Sequence, residues 1–294
     1  TVDADNKGKT ITANDLTVNV GKSLKIGAAS MTLTSGTVAN AGTLELTAGA
    51  LSAAISGEGE TQISGAVTSD KTITQDTMLI KSGASLTTDA ALLTIADTTT
   101  GIVNNAVNGL VLTGTGAAGT FTAKVTGDGN VQIGNGSTAA TITATTDGAT
   151  ISQDIVLSTA NDKLIINADN VGGDINNTKN GIVELSKDDS ALAQGNTITG
   201  GYITVAGNIT AYADDLASTK GITIDNGKTL TLQDGELKDN IGSDTAKAGN
   251  VVIAGTVDAK AKTITENSVK IDDGASLKIG AANIITATDT VNNG

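Results

Sequence analysis

Residues 262–282 read KTITENSVKIDDGASLKIGAA, and residues 9–29 read KTITANDLTVNVGKSLKIGAA, at a constant offset of 253 positions. A third copy, KTITQDTMLIKSGASL, occupies 71–86, and GITIDNGKTLTL at 221–232 matches the second half of the unit. Aligned without gaps, the copies share apolar columns: Ile11, Ile73 and Ile264; Leu16, Met78 and Val269; Val18, Ile80 and Ile271; Leu24, Leu86 and Leu277. Gly21, Gly83, Gly227 and Gly274 share another, which marks a turn where positive φ is tolerated. A short unit that recurs this way cannot bury its own apolar face and does so by stacking on its neighbours. Related units near 9–29, 71–86, 222–232 and 262–282 therefore predict one continuous solenoid over residues 1–294, with Ile11, Val18, Leu24, Ile73, Ile80, Leu86, Ile264, Ile271 and Leu277 pointing inward in stacked ladders.

Between these units, TLEL, ETQIS, GLVLTG, NVQIG, GIVEL, YITVAG, GITID, TLTLQ and VVIAG alternate apolar with polar residues and are separated by Gly, Asn and Asp. A period of two with turn residues between is the signature of β-strands. The abundant Thr suits a pleated, half-buried surface. No helical stripe appears, and AYADDLASTKG at 211–221 reads as a loop or a single helical turn.

Composition narrows the class. The chain has no Cys, Pro, His or Trp, all 18 basic residues are Lys, and Phe121, Tyr202 and Tyr212 are its only aromatic residues. A compact globule of 294 residues would fill its interior with large aromatics, whereas a thin aliphatic solenoid needs none. A net charge of −13 repels nucleic acid and anionic lipid. No run of 18 apolar residues is present, so membrane insertion is not expected. No basic-then-apolar leader opens the sequence, which reads as a mature or excerpted chain.

The order and density of turn and strand motifs in NAGTLELTAGALSAAISGEGETQISGAVTSDKTITQDTMLIKSGASLTT, residues 40–88, resemble the passenger region of bacterial autotransporter adhesins and related surface β-helix proteins. The resemblance implies an all-β fold, a right-handed parallel β-helix in a single elongated domain, exposed on the bacterial cell surface. With about 20 residues per turn and about 4.8 Å between strands, such a helix would make about 14 turns and extend about 70 Å. Open solenoid ends expose unpaired strand edges, so head-to-tail joining with a second copy, or continuation within a longer chain, is expected.

Few residues offer chemistry. Acid pairs stand at Asp188 and Asp189, Asp214 and Asp215, and Asp272 and Asp273. Two carboxylates can hydrolyse a glycoside when held at the right separation, but adjacent residues on a strand face opposite ways, so these pairs are expected in solvated turns. Hard cations take oxygen ligands from turns, which makes Asp3, Asp5, Asp128, Asp272 and Asp273 candidate calcium ligands, although none follows an EF-hand or nonapeptide spacing. GEGETQISG at 57–65 and GDGNVQIGNG at 127–136 superficially match phosphate loops without the Lys-Ser/Thr pair, and read as turns. Thr-x-Thr pairs at 10/12, 32/34, 98/100, 120/122 and 141/143 approach one-turn spacing, the motif of ice-binding solenoids, but the spacing drifts elsewhere. The leading expectation is a non-enzymatic, cofactor-free, extracellular structural protein forming a fibre, layer or stalk by end-to-end continuation. The alternatives are an adhesin binding a host or glycan ligand, and a glycan-degrading β-helix enzyme.

Overall fold

The computed structural model describes residues 10–114, 119–146, 151–168, 173–242, 249–280 and 285–293. The chain divides into two compact units, Thr1–Val156 and Leu157–Gly294. Each is a β-solenoid built from short parallel strands.

In the first unit the chain visits three sheets in rotation. One stacks Leu16–Val18, Thr37–Asn40, Ala54–Ser56, Ile73–Gln75 and Leu93–Ile95. The next stacks Ser23–Ile26, Thr43–Leu46, Glu60–Ile63, Thr77–Ile80, Ile102–Asn104 and Val125–Thr126. The third includes Gly49–Ala50, Ala66–Ser69, Ser85–Asp89, Leu110–Thr113 and Asn130–Ile133. Each circuit is one turn. Ser23 faces Thr43, Thr43 faces Glu60 and Glu60 faces Thr77, so successive turns take 20, 17 and 17 residues.

The second unit repeats the plan. One column runs through Lys163–Ala168, Ile182–Leu185, Tyr202–Val205, Ile222–Ile224 and Ile241–Gly242. Another runs through Ser190–Ala191, Ile209–Tyr212, Thr229–Gln233 and Asn250–Ile253. Both meet the long strand Ile264–Ile271, where Ile241 faces Ile264 and Val251 faces Val269. A third column stacks Gly235–Glu236, Thr256–Lys260 and Ser276–Ile279.

All nine alternating runs identified above contain strands. Their inward positions carry aliphatic residues: Leu44 and Leu46, Ile63, Met78 and Ile80 are fully buried, and so are Ile203, Val205, Leu230 and Leu232. Phe121, the one phenylalanine, is also interior. AYADDLASTKG holds a single 3-10 turn, Ala213–Asp215, followed by the strand Leu216–Ala217. Among the described residues no helix is long and apolar enough to cross a membrane.

The glycine column behaves as its conformation demands. Gly21, Gly83, Gly227 and Gly274 have φ of +69°, +75°, +75° and +76°. In each case the following residue donates its amide to the carbonyl three residues back, as in Lys22 to Asn19 and Ala275 to Asp272. Positive φ at the third position of such a turn is where glycine is favoured. Space is not the reason, since a Cβ at any of the four would meet nothing within 4 Å.

Two expectations need correction. Six of the nine columnar residues are buried, but Ile11, Ile271 and Leu277 are only half-buried. Ile11 and Leu277 lie on strands with a described partner on one edge only, whereas Ile271 closes its strand between Ile253 and the polar Asn292. The aligned residues also do not share a ladder. Ile73 pairs with Ile55 and Leu93 in the sheet that holds Leu16, while Leu24 lies in the sheet that holds Met78. Leu24 and Leu86 are 62 residues apart (86 − 24), but three turns from Ser23 to Thr77 consume 54 (77 − 23). The remaining eight residues advance the copy by one strand. The second unit does the same: Leu230 stacks on Val251 and Val269 rather than on Leu277.

Ile80→Ala removes a fully buried side chain from the middle of a ladder and should cost about 2–5 kcal/mol of stability. Leu277→Ala, at a half-buried site, should cost clearly less. Urea denaturation of both variants reads the difference.

Candidate functional site

Polar side chains enter the interior mainly where strands bend into turns. In the first unit Asn40 is fully buried at the end of its strand. Its amide donates to the Glu60 carbonyl at 3.0 Å and to the Gln75 side-chain oxygen, and its own oxygen accepts from the Gly42 amide at 3.2 Å. Gln75 in turn donates to the Gly57 carbonyl at 3.0 Å, and Thr61 donates to its oxygen at 3.2 Å. Farther along, Asn104 repeats the arrangement. It donates to the Asn130 carbonyl at 2.9 Å and to Gln153 Oε1 at 3.0 Å, and accepts from the Ala106 amide at 3.2 Å.

Both glycine-rich loops sit over these corners. The Gly59 amide donates to the Asn40 carbonyl and the Gly129 amide to the Asn104 carbonyl, each at 2.9 Å. A Cβ on Gly57 would fall 2.4 Å from Asn40 O, and one on Gly127 2.5 Å from Asn104 O. The glycines thus permit close stacking of backbone on backbone, which accounts for the loop sequence without a phosphate. Sequence reasoning missed the Asn–Gln corners, whose signal is an asparagine ending a strand about 20 residues before a Gly-x-Gly.

The acid pairs lie outside regular strands. Asp188 accepts from Lys228 Nζ at 2.9 Å and from the Asn208 amide at 2.8 Å, and these contacts hold its carboxyl below the usual range. Asp214 and Asp215 occupy the 3-10 turn. Asp215 is buried and accepts from the Gly195 amide at 3.1 Å. Burial pushes its carboxyl pKa up, the Gly195 bond opposes this, and the charges of Asp214 and Asp174 reinforce it. Asp272 is drawn to Lys270 at 2.6 Å.

Among the calcium candidates, Asp128 stands on an exposed turn with its amide 3.5 Å from Asn105 Oδ1, Asp272 is engaged by Lys270, Asp273 is exposed, and Asp3 and Asp5 lie outside the described residues. Among the described residues no three carboxylates converge as a metal site would require. The Thr pairs form only fragments of an array: Thr12 stacks on Thr32 and Thr120 on Thr143, while Thr98 and Thr100 lie in a turn.

Charged side chains on the outer faces form ladders across turns. Lys25 and Lys81 approach Glu45 at 2.9 and 3.1 Å. In the second unit Lys238 bridges Asp214 and Glu236, Lys260 also pairs with Glu236, and Lys278 reaches Asp258 at 2.9 Å. Partial burial alone would raise the pKa of Glu45, but hydrogen bonds from Ser64, Lys25 and Lys81 outweigh it and bring the carboxyl to about 2.

Comparison with known proteins finds no matching family model, no similar curated protein and no similar solved structure.

A carboxyl depressed in the folded state stabilises it above the unfolded pKa and loses that contribution as pH falls. For Glu45 the window runs from its ordinary 4.5 down to about 2. Stability measured by urea at a series of pH values should fall across this window, and Glu45→Gln should flatten the fall.

Proposed function

We propose that this chain is a non-enzymatic structural protein of the bacterial cell surface, a β-solenoid that builds an extracellular fibre, layer or stalk by joining end to end. It needs no cofactor and no nucleic-acid or membrane partner in this role. The observation that carries the reading is the state of one sequence in two places. Ser23–Ile26 and Ser276–Ile279 are both Ser-Leu-Lys-Ile. The first is covered by Thr43–Leu46, so that Leu24 and Ile26 are buried. On the second, no described strand covers the corresponding edge; Ile279 is 53% exposed, and Val291 on the last strand is 41% exposed. A strand edge with no described neighbour and with exposed aliphatic side chains is a template for another strand, from a second copy or from continuation of the same solenoid in a longer chain. The resemblance of residues 40–88 to surface passenger regions supports the location, and the cross-turn charge ladders and net charge of −13 suit a solvated exterior.

One observation favours an adhesin as the second reading. Ile182 and Tyr202 are register neighbours on the outer face, both exposed, and an aromatic beside an aliphatic group is a surface that a sugar ring can stack on. Electron microscopy of the purified chain separates the two readings. Long uniform filaments that grow with protein concentration are expected; isolated particles at every concentration, with glycan binding lost in Tyr202→Ala, would favour the adhesin. Turnover of any member of a polysaccharide panel would overturn the non-enzymatic assignment.

A further inference from the structure

On the outer face of the second unit one row of residues can be followed strand by strand. Lys163 faces Ile182, and Ile182 faces Tyr202. Gly221 continues the row, since Ile203 faces Ile222 and the Ile203 amide donates to the Gly221 carbonyl at 3.3 Å. Asn240 follows on the next strand, its carbonyl accepting from the Ile222 amide at 3.0 Å. The row thus carries a side chain at every step except Gly221. A Cβ there would meet nothing within 4 Å, so Tyr202 borders an unfilled gap one strand wide. With about 4.8 Å between strands, the backbones of Tyr202 and Asn240 stand about 9.6 Å apart.

Size and polarity select what fits this gap. Ile182 and Tyr202 are exposed, and the next outward positions on the three strands are the polar Glu184, Thr204 and Thr223. Two exposed apolar side chains fall far short of the roughly 800 Å² that each partner contributes to a stable protein interface, but they match one small ring. Hydrogen-bonding groups surround the gap: the Thr223 hydroxyl lies 3.4 Å from that of Thr204, and the Asp239 carboxylate accepts from the amides of Gly221 and Asn240, each at 2.8 Å. Charge is balanced, since Lys163 pairs with Glu184 at 2.6 Å and Asp239 is offset by the exposed Lys220. An aromatic side chain beside hydroxyls and a carboxylate, without net charge, gives apolar contact to a C–H face and hydrogen bonds to a hydroxylated edge. A neutral pyranose has that face and that edge.

We propose that Tyr202 and the gap over Gly221 form a binding site for one neutral pyranose residue of a glycan, stacked on Tyr202, with Thr223 and Asp239 bonding its hydroxyls. This rests on the adhesin reading and gives it a site and a ligand class. Tyr202–Val205 is flanked by Ile182–Leu185 on one edge and Ile222–Ile224 on the other, so the site does not depend on how the solenoid ends, and an end-to-end fibre can carry it on its side.

The chain has no tryptophan, and Tyr202 and Tyr212 are its only tyrosines, so in Tyr212→Phe all tyrosine emission reports on the proposed site. The methyl glycosides of glucose, galactose, mannose and N-acetylglucosamine are titrated into this variant, with glucuronate as the charged comparison. Amide chemical shifts of the labelled wild-type chain are followed in parallel. The expected result is a saturable change in emission with at least one neutral glycoside, with shifts centred on Tyr202, Gly221, Thr223 and Asn240. Tyr202→Ala should weaken that binding about tenfold while Tyr202→Phe keeps it within about threefold, as a stacked ring requires. The unchanged urea midpoint expected for an exposed position separates this loss from unfolding. No saturable response to any of the neutral glycosides, shifts centred elsewhere, equal binding of glucuronate, or binding unchanged in Tyr202→Ala each overturns the proposal. A glycan array probed with the full chain distinguishes the two levels: capture that survives Tyr202→Ala overturns this site and leaves the adhesin reading standing, while no capture at all overturns both.

Discussion

Everything in this fold depends on the parallel ladder between successive turns. A strand of three or four residues cannot hold itself, and each one here gains its backbone partners from chain about 20 residues away on either side. Because side chains alternate across a strand, a register that pairs Leu44 with Leu24 on one side and Thr61 on the other also decides which residues face the interior and which face water. The interior is then filled by whatever stacks: Leu, Ile, Val and Ala along the faces, and Asn and Gln where the backbone bends and its polar groups need partners. The absence of Trp and the near absence of other aromatics follow, since an interior renewed every turn has little room for a large ring.

The same constraint places the polar groups. Asn40, Gln75, Asn104 and Gln153 are buried, yet each spends its hydrogen bonds on the backbone of an adjacent turn or on its corner partner. Glycine above the corner lets the next turn come close enough to be bonded. The outer faces follow the register as well: a lysine above a glutamate or aspartate recurs as Lys25 with Glu45, Lys163 with Glu184 and Lys278 with Asp258. Such exposed pairs contribute little energy singly, but like charges stacked in register would oppose it, so the alternation guards the alignment.

How far the sequence discloses this depends on the range of the signal. Alternation and turn glycines are local, and the strands at 43–46, 202–205 and 229–233, like the positive φ at Gly21, Gly83, Gly227 and Gly274, were legible from a few residues each. Ladder membership was not, because it depends on the summed lengths of intervening turns; copies 62 residues apart land one strand out of step with turns of 20, 17 and 17. The exposure of Ile11 and Leu277 was hidden for a related reason, since a column of aligned residues carries no mark of which turn has a neighbour, nor, at Ile271, that the neighbour is the polar Asn292. Of the candidate ligands, Asp128 and Asp272 gave no sign in sequence that one would face solvent and the other a lysine.

Amide hydrogen exchange of the native chain tests the ladder most directly. Stacking predicts the slowest exchange in strands flanked on both edges, such as Thr43–Leu46, Glu60–Ile63 and Thr77–Ile80, with protection declining through Ser276–Ile279 and Ile285–Asn292, where one edge has no partner among the described strands. Uniformly weak protection, or protection as strong at 285–292 as at 60–63 in the monomer, would contradict a solenoid held together turn upon turn.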